Sequence, residues 1–289
     1  MPSDAPAEGL RPGGHLLTAR LSPMNPSATR TWVVLPTYNE ADNVVGISAA
    51  ILEQIPDATL LVVDDASPDG TGRLADELAA ADGRIRVRHR RAKQGLGKAY
   101  VDGFGVALAG GADRIIQMDA DWSHHPSYLP VLLRALEGGP DAPWPEGADV
   151  VIGSRYVKGG GVRNWGPLRR IVSRGGSLFA RTVLRLGTND LTGAYKVWRR
   201  EALATTPWDR LHSGGYVFSI EMTYLADRRG LRVVEMPIIF TDRQEGESKM
   251  SRRIIVEALL VVLRLRWDES RGHSPRTPSA GASAEGDGS

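Results

Sequence analysis

Residues 114–126 read Arg114-Ile115-Ile116-Gln117-Met118-Asp119-Ala120-Asp121-Trp122-Ser123-His124-His125-Pro126. A short apolar run breaks into acids, histidines and a proline. A strand buried on both faces reads this way when it ends at an exposed loop. Three upstream β-branched runs also read as strands, Thr31–Leu35, Thr59–Val63 and Arg84–His89, and the first two are likewise nearly all apolar. Between them, Glu40–Gln54, Thr71–Ala81 and Gly97–Ala109 carry apolar residues at helical spacing. Strands at regular intervals with helices between them predict βαβ units, hence an α/β fold with a mostly parallel central sheet flanked by helices. A fifth strand is expected at Asp149–Gly153, after a Pro/Gly-rich loop at 138–147. The second half is more mixed. Arg169–Leu186, Phe218–Arg229 and Ser251–Trp267 read as helices, and Ala194–Arg199 and Leu231–Pro237 as strands.

Parallel α/β sheets bind ligands at the carboxyl ends of their strands. Four such ends are polar here: Pro36-Thr37-Tyr38-Asn39-Glu40, Asp64-Asp65-Ala66-Ser67-Pro68-Asp69-Gly70, Lys93-Gln94-Gly95-Leu96-Gly97 and 119–126. Asp119 and Asp121 stand two apart at the end of the fourth strand. Two carboxylates so placed suit a hard divalent cation, Mg²⁺ or Mn²⁺, with room left for phosphate oxygens and water. Read alone, Asp119 is also a helix cap, and Asp65 is either a ligand for a sugar hydroxyl or part of a turn. His124 and His125 are read as residues that cap and orient the loop before the helix at Pro126, with a metal ligand or a base as the alternative.

Composition narrows the class. The chain has 289 residues, 42% of them hydrophobic and 24% charged, as in ordinary folded proteins. Its net charge of +2 is too small for a nucleic-acid binder, so no nucleic-acid partner is expected. With no cysteine, disulfides, thiolate nucleophiles and cysteine metal sites are excluded. Of the 36 basic residues five are lysines, Lys93, Lys98, Lys158, Lys196 and Lys249, and the other 31 are arginines. A single arginine therefore says little unless its loop context singles it out.

Residues 1–30 and 268–289 are rich in Pro, Gly, Ser and Ala and are expected to be disordered tails. The folded part is placed at roughly 31–267, ending in a C-terminal helix at 251–267. No signal peptide is recognisable, and no run approaches the roughly 20 apolar residues that span a bilayer. A cytoplasmic protein, peripheral on the cytoplasmic face of the membrane, is expected. The 251–267 helix carries Arg252, Arg253, Arg264 and Arg266 around an apolar centre. It reads as an interfacial helix on the membrane surface, as a core helix, or as a dock for a separate membrane protein.

The succession P-T-Y-N-E, V-D-D-x-S-x-D-G-T, G-L-G-x-A-Y, D-A-D-x-S-H-H-P, G-S-R-Y, S-R, D-L-T-G and D-R-x-x-G-x-S-K resembles the dolichol-phosphate mannose synthases of glycosyltransferase family 2. The resemblance covers roughly 31–250 and implies a GT-A fold. It implies that Pro36, Tyr38 and Glu40 bind the guanosine, with Val63 and Asp65 at the next strand end. It places the metal on Asp119 and Asp121, with Ala120 against the nucleotide. Arg155, Arg243 and Lys249 are implied as cations on the donor phosphates. Arg170, Ser173 and Arg174 fall where the family contacts the acceptor phosphate. Asp121, Arg155, Arg170 and Arg174 are the residues expected to carry catalysis. Trp122 departs from the family, which commonly has a smaller apolar residue there. The implied reaction is inverting transfer of mannose from GDP-mannose to a polyprenyl phosphate. The local chemistry alone leaves open UDP-glucose as donor, or a non-catalytic nucleotide-sugar binding module. Arg243–Lys249, with Gly246 and Ser248, is expected to form a flap over the phosphates.

Overall fold

The computed structural model describes residues 29–140, 142, 144–207, 211, 216–241 and 252–271. Seven strands form one sheet: β1 (Thr31–Thr37), β2 (Thr59–Asp64), β3 (Ile85–His89), β4 (Arg114–Gln117), β5 (Val150–Ser154), β7 (Lys196–Arg199) and β8 (Val233–Pro237). Their order is β3-β2-β1-β4-β7-β5-β8. Every pairing is parallel except those of β7, which runs antiparallel to β4 and β5. Two three-residue strands, β6 (Gly161–Arg163) and β9 (Ile239–Thr241), pair in parallel as a separate ribbon.

The continuous apolar runs follow from burial on both faces. Along β1, Val33 and Leu35 face one core and Trp32 and Val34 the other. The first core is closed by α1 (Ala41–Gln54), α2 (Thr71–Ala81) and α4 (Leu129–Glu137). The second is closed by α3 (Leu96–Ala109), α6 (Arg200–Ala204) and α7 (Tyr216–Arg228). α3 lies close because Gly103 has no side chain. A Cβ there would come within 2.4 Å of Val34 Cγ1. A third, smaller core joins α5 (Pro167–Leu184), α7 and α8 (Arg252–Ser270) through Ala180, Leu184, Ile220, Tyr224 and Val262.

Two expected boundaries shift. Arg30 is tied to the body, its backbone N–H donating to Asp113 Oδ2 at 2.8 Å. The last helix runs to Ser270, past the expected end at Trp267, because Glu269 is clamped between Arg228 (2.8 Å) and Arg266 (2.9 Å). Residues 1–28 and 272–289 lie outside the described residues.

Candidate active site

Three strand ends converge, and each turns through a non-glycine residue at positive φ: Asn39 (58°) after β1, Ala66 (60°) after β2 and Trp122 (63°) after β4. Such backbone is uncommon outside glycine and tends to be retained at functional sites. The first two loops hold each other. Asn39 N–H donates to Ser67 Oγ at 3.1 Å, Glu40 N–H to Thr71 Oγ1 at 2.9 Å, and Ala41 N–H to Asp69 Oδ2 at 3.1 Å. Asp69 thereby serves the amino end of α1, whose first N–H groups have no partner within the helix. Burial pushes the Asp69 carboxyl up, but hydrogen bonds from Thr71 and Ala41 more than offset it, leaving it below the usual value.

Asp65 ties in the third loop. It accepts from Arg90 Nη1 at 2.5 Å, from Gln94 N–H at 3.0 Å and from Gly95 N–H at 2.8 Å. The carboxylate expected to contact the nucleotide thus also anchors the 93–97 loop. Lys93 Nζ, on that loop, lies 3.6 Å above the Tyr38 ring. Pro36 and Val63 are buried, and Val63 packs its side chain into the second core. Glu40 accepts from Asn43 Nδ2 at 2.8 Å.

After β4, each acid has its own support. Asp119 Oδ1 accepts from Tyr100 OH at 2.8 Å. Tyr100 is buried on α3, stacked on Phe104 and Phe218 with ring centroids 5.7 and 5.9 Å away. Burial, with Asp119 beside it, keeps the Tyr100 hydroxyl protonated and so a donor. Asp121 Oδ1 accepts from Ser123 N–H at 3.1 Å and Ser123 Oγ at 2.5 Å. Ala120, between the two acids, is buried. His124 Nδ1 accepts the Asp119 backbone N–H at 3.0 Å, and its ring stacks on Tyr195 at 4.9 Å. Burial lowers the His124 pKa despite the nearby acids, which favours the neutral ring that can accept this bond. His125 Nδ1 accepts from Ser127 N–H at 3.2 Å and caps the turn at Pro126–Tyr128. Both histidines therefore orient the loop. Hard oxygen donors, two carboxylates on one loop, fit a divalent cation completed by phosphate oxygens and water. Among the described residues no group of three or more His, Asp or Glu forms a closed metal cage.

Arg155, at the end of β5, is buried and committed. Its Nε and Nη2 donate to Asp190 at 2.7 and 2.6 Å, and Nη2 also reaches Thr192 Oγ1 at 2.7 Å. Burial pushes the Asp190 carboxyl up, yet Arg155 holds it below the usual range. The Tyr156, Trp165 and Phe240 rings surround the guanidinium at 5.2 to 5.6 Å. Beyond it lies a cavity of about 110 Å³ between α5, α7 and α8. Its head is polar, with Arg155, Arg169, Ser173 and Thr192, and its walls are apolar, with Phe179, Ile220 and Val262 among them.

Of the acceptor residues expected on α5, Ser173 lines this cavity and hydrogen-bonds Tyr156 OH at 2.6 Å. Arg170 and Arg174 are exposed and do not line it. The inward arginine is Arg169, its guanidinium 4.4 Å above the Trp165 ring. Residues 169, 172, 173, 176 and 180 lie on one face of the helix, a stripe from which Arg170 is excluded. Sequence reasoning missed Arg169, Tyr100 and Asp190. Helical phase against Gly176 and Ala180 marks the first. The other two lie within G-L-G-x-A-Y and D-L-T-G and are needed as a buried donor and a buried counter-charge. Arg243 and Lys249, with the expected flap, lie outside the described residues.

A family model described as Glycosyl transferase family 2 matches residues 32–206. The polyprenol monophosphomannose synthase of Mycolicibacterium smegmatis is 45% identical over 248 residues, 84% of this chain and 91% of that protein. The undecaprenyl-phosphate mannosyltransferase of Micrococcus luteus is 43% identical over 84% of this chain and 98% of its own. Among solved structures, glucosyl-3-phosphoglycerate synthase from Mycobacterium tuberculosis, with Mn²⁺ and UDP-glucose, superposes with a TM-score of 0.55. It is 21% identical, over 88% of this chain and 81% of that one. The mannosyltransferase PcManGT from Pyrobaculum calidifontis, with GDP-Man and Mn²⁺, has a TM-score of 0.52. It is 17% identical, over 84% of this chain and 64% of its own. At such identities these two structures speak to the fold, a GT-A-like arrangement.

Proposed function

The chain belongs to glycosyl transferase family 2, and from that membership we propose that it transfers mannose from GDP-mannose to the phosphate of a polyprenyl lipid, giving polyprenyl-phosphate mannose and GDP. The observation that carries this reading is one juxtaposition. An acidic pair suited to a nucleotide diphosphate's cation, Asp119 and Asp121, shares the carboxyl side of the sheet with a cavity that is cationic at its head and apolar along its walls. The relatives at 43% and 45% identity, named for mannose transfer to polyprenyl phosphates, point the same way.

The chain's own groups divide the work. The loops at 36–40 and 65–70 receive the nucleoside, with Pro36, Tyr38, Glu40, Val63, Asp65 and Ala120 as contacts. Asp119 and Asp121 would hold a divalent cation, Mg²⁺ or Mn²⁺, which would neutralise the negative charge gathering on the leaving diphosphate. Arg155, which the family resemblance puts on the donor phosphates, lines the cavity head, and there it would stand with Arg169 and Ser173, which orient the acceptor phosphate, assisted from the surface by Arg170 and Arg174. Arg243 and Lys249 are assigned to the donor phosphates on the family resemblance. A phosphate oxygen bonds to mannose C1 as the bond from C1 to the GDP oxygen breaks. The electron pair leaves with GDP and the anomeric configuration inverts. A phosphate monoester is already ionised near neutral pH, so no general base is required.

The reading includes peripheral membrane attachment on the cytoplasmic face. Among the described residues, large exposed apolar side chains gather on two neighbouring helices, Leu168, Ile171 and Leu178 on α5 and Val256, Leu260, Leu263 and Trp267 on α8. No helix among the described residues is long and apolar enough to cross a membrane. A lipid surface and a membrane-protein partner both fit this face, and the lipid acceptor favours the surface. The test is label transfer from GDP-mannose into the organic phase, with a short polyprenyl phosphate beside the same polyprenol lacking phosphate. Transfer to the phosphate alone, lost in Asp121→Asn, is expected. Transfer to the free alcohol, or full activity in Asp121→Asn, contradicts the assignment.

A further inference from the structure

Trp122 follows Asp121 directly and sits at a φ of +63°. That region is unfavourable for a bulky side chain and persists only where the surroundings hold it. The hold is on α1. Gly46 lies in the exposed interior of that helix, where glycine weakens a helix relative to alanine. A Cβ built on Gly46 would stand 3.2 Å from Trp122 Cζ2, so the indole lies against bare helix backbone. The ring also meets His125 at 6.2 Å and packs on the core beneath α1.

The neighbours of Trp122 in the chain explain why this seat matters. Ser123 returns under Asp121 and holds its Oδ1 through both N–H and Oγ. That return is set by the backbone at residue 122. At its other end, α1 begins straight after the 36–40 loop, with Glu40 as its cap residue. One helix therefore touches the acidic pair through Trp122 and continues the nucleoside loop through Glu40.

We propose that Trp122 is a positioning residue: seated in the Gly46 notch, it fixes the Asp119/Asp121 loop relative to α1 and couples cation binding to the nucleoside loop from which α1 starts. The proposal rests on the reading of Asp119 and Asp121 as the cation's carboxylates. It also gives a use to the larger side chain that this sequence has after Asp121.

The experiment titrates Mn²⁺ into the full chain and follows free Mn²⁺ by electron paramagnetic resonance, without and with GDP. The variants are Trp122→Ala, Gly46→Val, their double, Gly46→Ala and Asp121→Asn. Trp122→Ala and Gly46→Val should each weaken Mn²⁺ binding on the order of tenfold, as removal of a ligand's supporting group commonly does. The double variant should be no weaker than the worse single one, since both break one contact. GDP should tighten Mn²⁺ binding less in these variants than in the wild type. Gly46→Ala should weaken it less than Gly46→Val while keeping the melting temperature. If Gly46→Val does not fold, Gly46→Ala completes the cycle. Wild-type affinity in Trp122→Ala and Gly46→Val, with binding lost in Asp121→Asn, overturns the proposal. So do losses that simply add. Wild-type affinity in Asp121→Asn would instead remove the metal assignment on which the proposal stands.

Discussion

Lys196 carries an amine into the dry middle of the sheet. It is fully buried on β7 and donates to Ser219 O at 3.0 Å on α7. Across the ladder stands Gln117, buried, with neither side-chain amide atom partnered among the described residues. Burial lowers the Lys196 pKa from 10.5 to about 7, Asp190 opposing and Arg155 reinforcing the fall. Below that value the folded and unfolded chains both hold the proton. Between about 7 and 10.5 the unfolded chain binds more, so stability contributed by this group rises with pH through that window. We expect the melting temperature of the wild type to gain on that of Lys196→Met between pH 6.5 and 9.5, as a scan at ~0.5-unit steps would show. Parallel profiles would contradict the assignment. At this scale the sequence shows which residue types are present but not which are paired. Asp190 is an unremarkable acid until Arg155 is found against it, and the choice between Arg169 and Arg170 is a matter of one helical step.

Secondary structure was legible in proportion to its length and burial. β1 and β2 are largely apolar because both sheet faces are covered, β4 has Ile115 and Ile116 at its centre, and their helices follow at regular spacing. β6 and β9 have three residues each, too few to show a period. The reversed direction of β7 is set by its partners β4 and β5 rather than by its own composition. α3 shows how one residue sets the distance between layers. Gly103→Val would drive a side chain into Val34 Cγ1 and Val63 Cγ2, which lie 2.4 and 3.0 Å from the Cβ position. Overpacking of this kind costs about 1–3 kcal/mol, against a helix-propensity gain of a few tenths. Gly105→Val on the same helix meets nothing within 4 Å and should be near neutral. Denaturant unfolding of the pair checks this, and equal losses would count against the close approach.

At the scale of the whole molecule, the sheet holds an acidic loop and a cationic, apolar-walled cavity on one side, and α5 and α8 carry the cavity outward to an apolar surface. On the proposed function, a lipid phosphate seated at the cavity head reaches the donor while its chain stays at this apolar surface. Leu260→Glu with Leu263→Glu should abolish sedimentation with anionic vesicles while sparing transfer to a short, water-soluble acceptor. Persistent vesicle binding would place the contact elsewhere. The reaction itself is tested by one competition. Purified chain, Mg²⁺ and a polyprenyl phosphate are given GDP-mannose and UDP-glucose, each carrying a different radiolabel, and the lipid product is counted. Mannose label alone is expected in the lipid, with one GDP released per mannose transferred. Glucose label in the lipid, or GDP released without lipid-bound mannose, would contradict it.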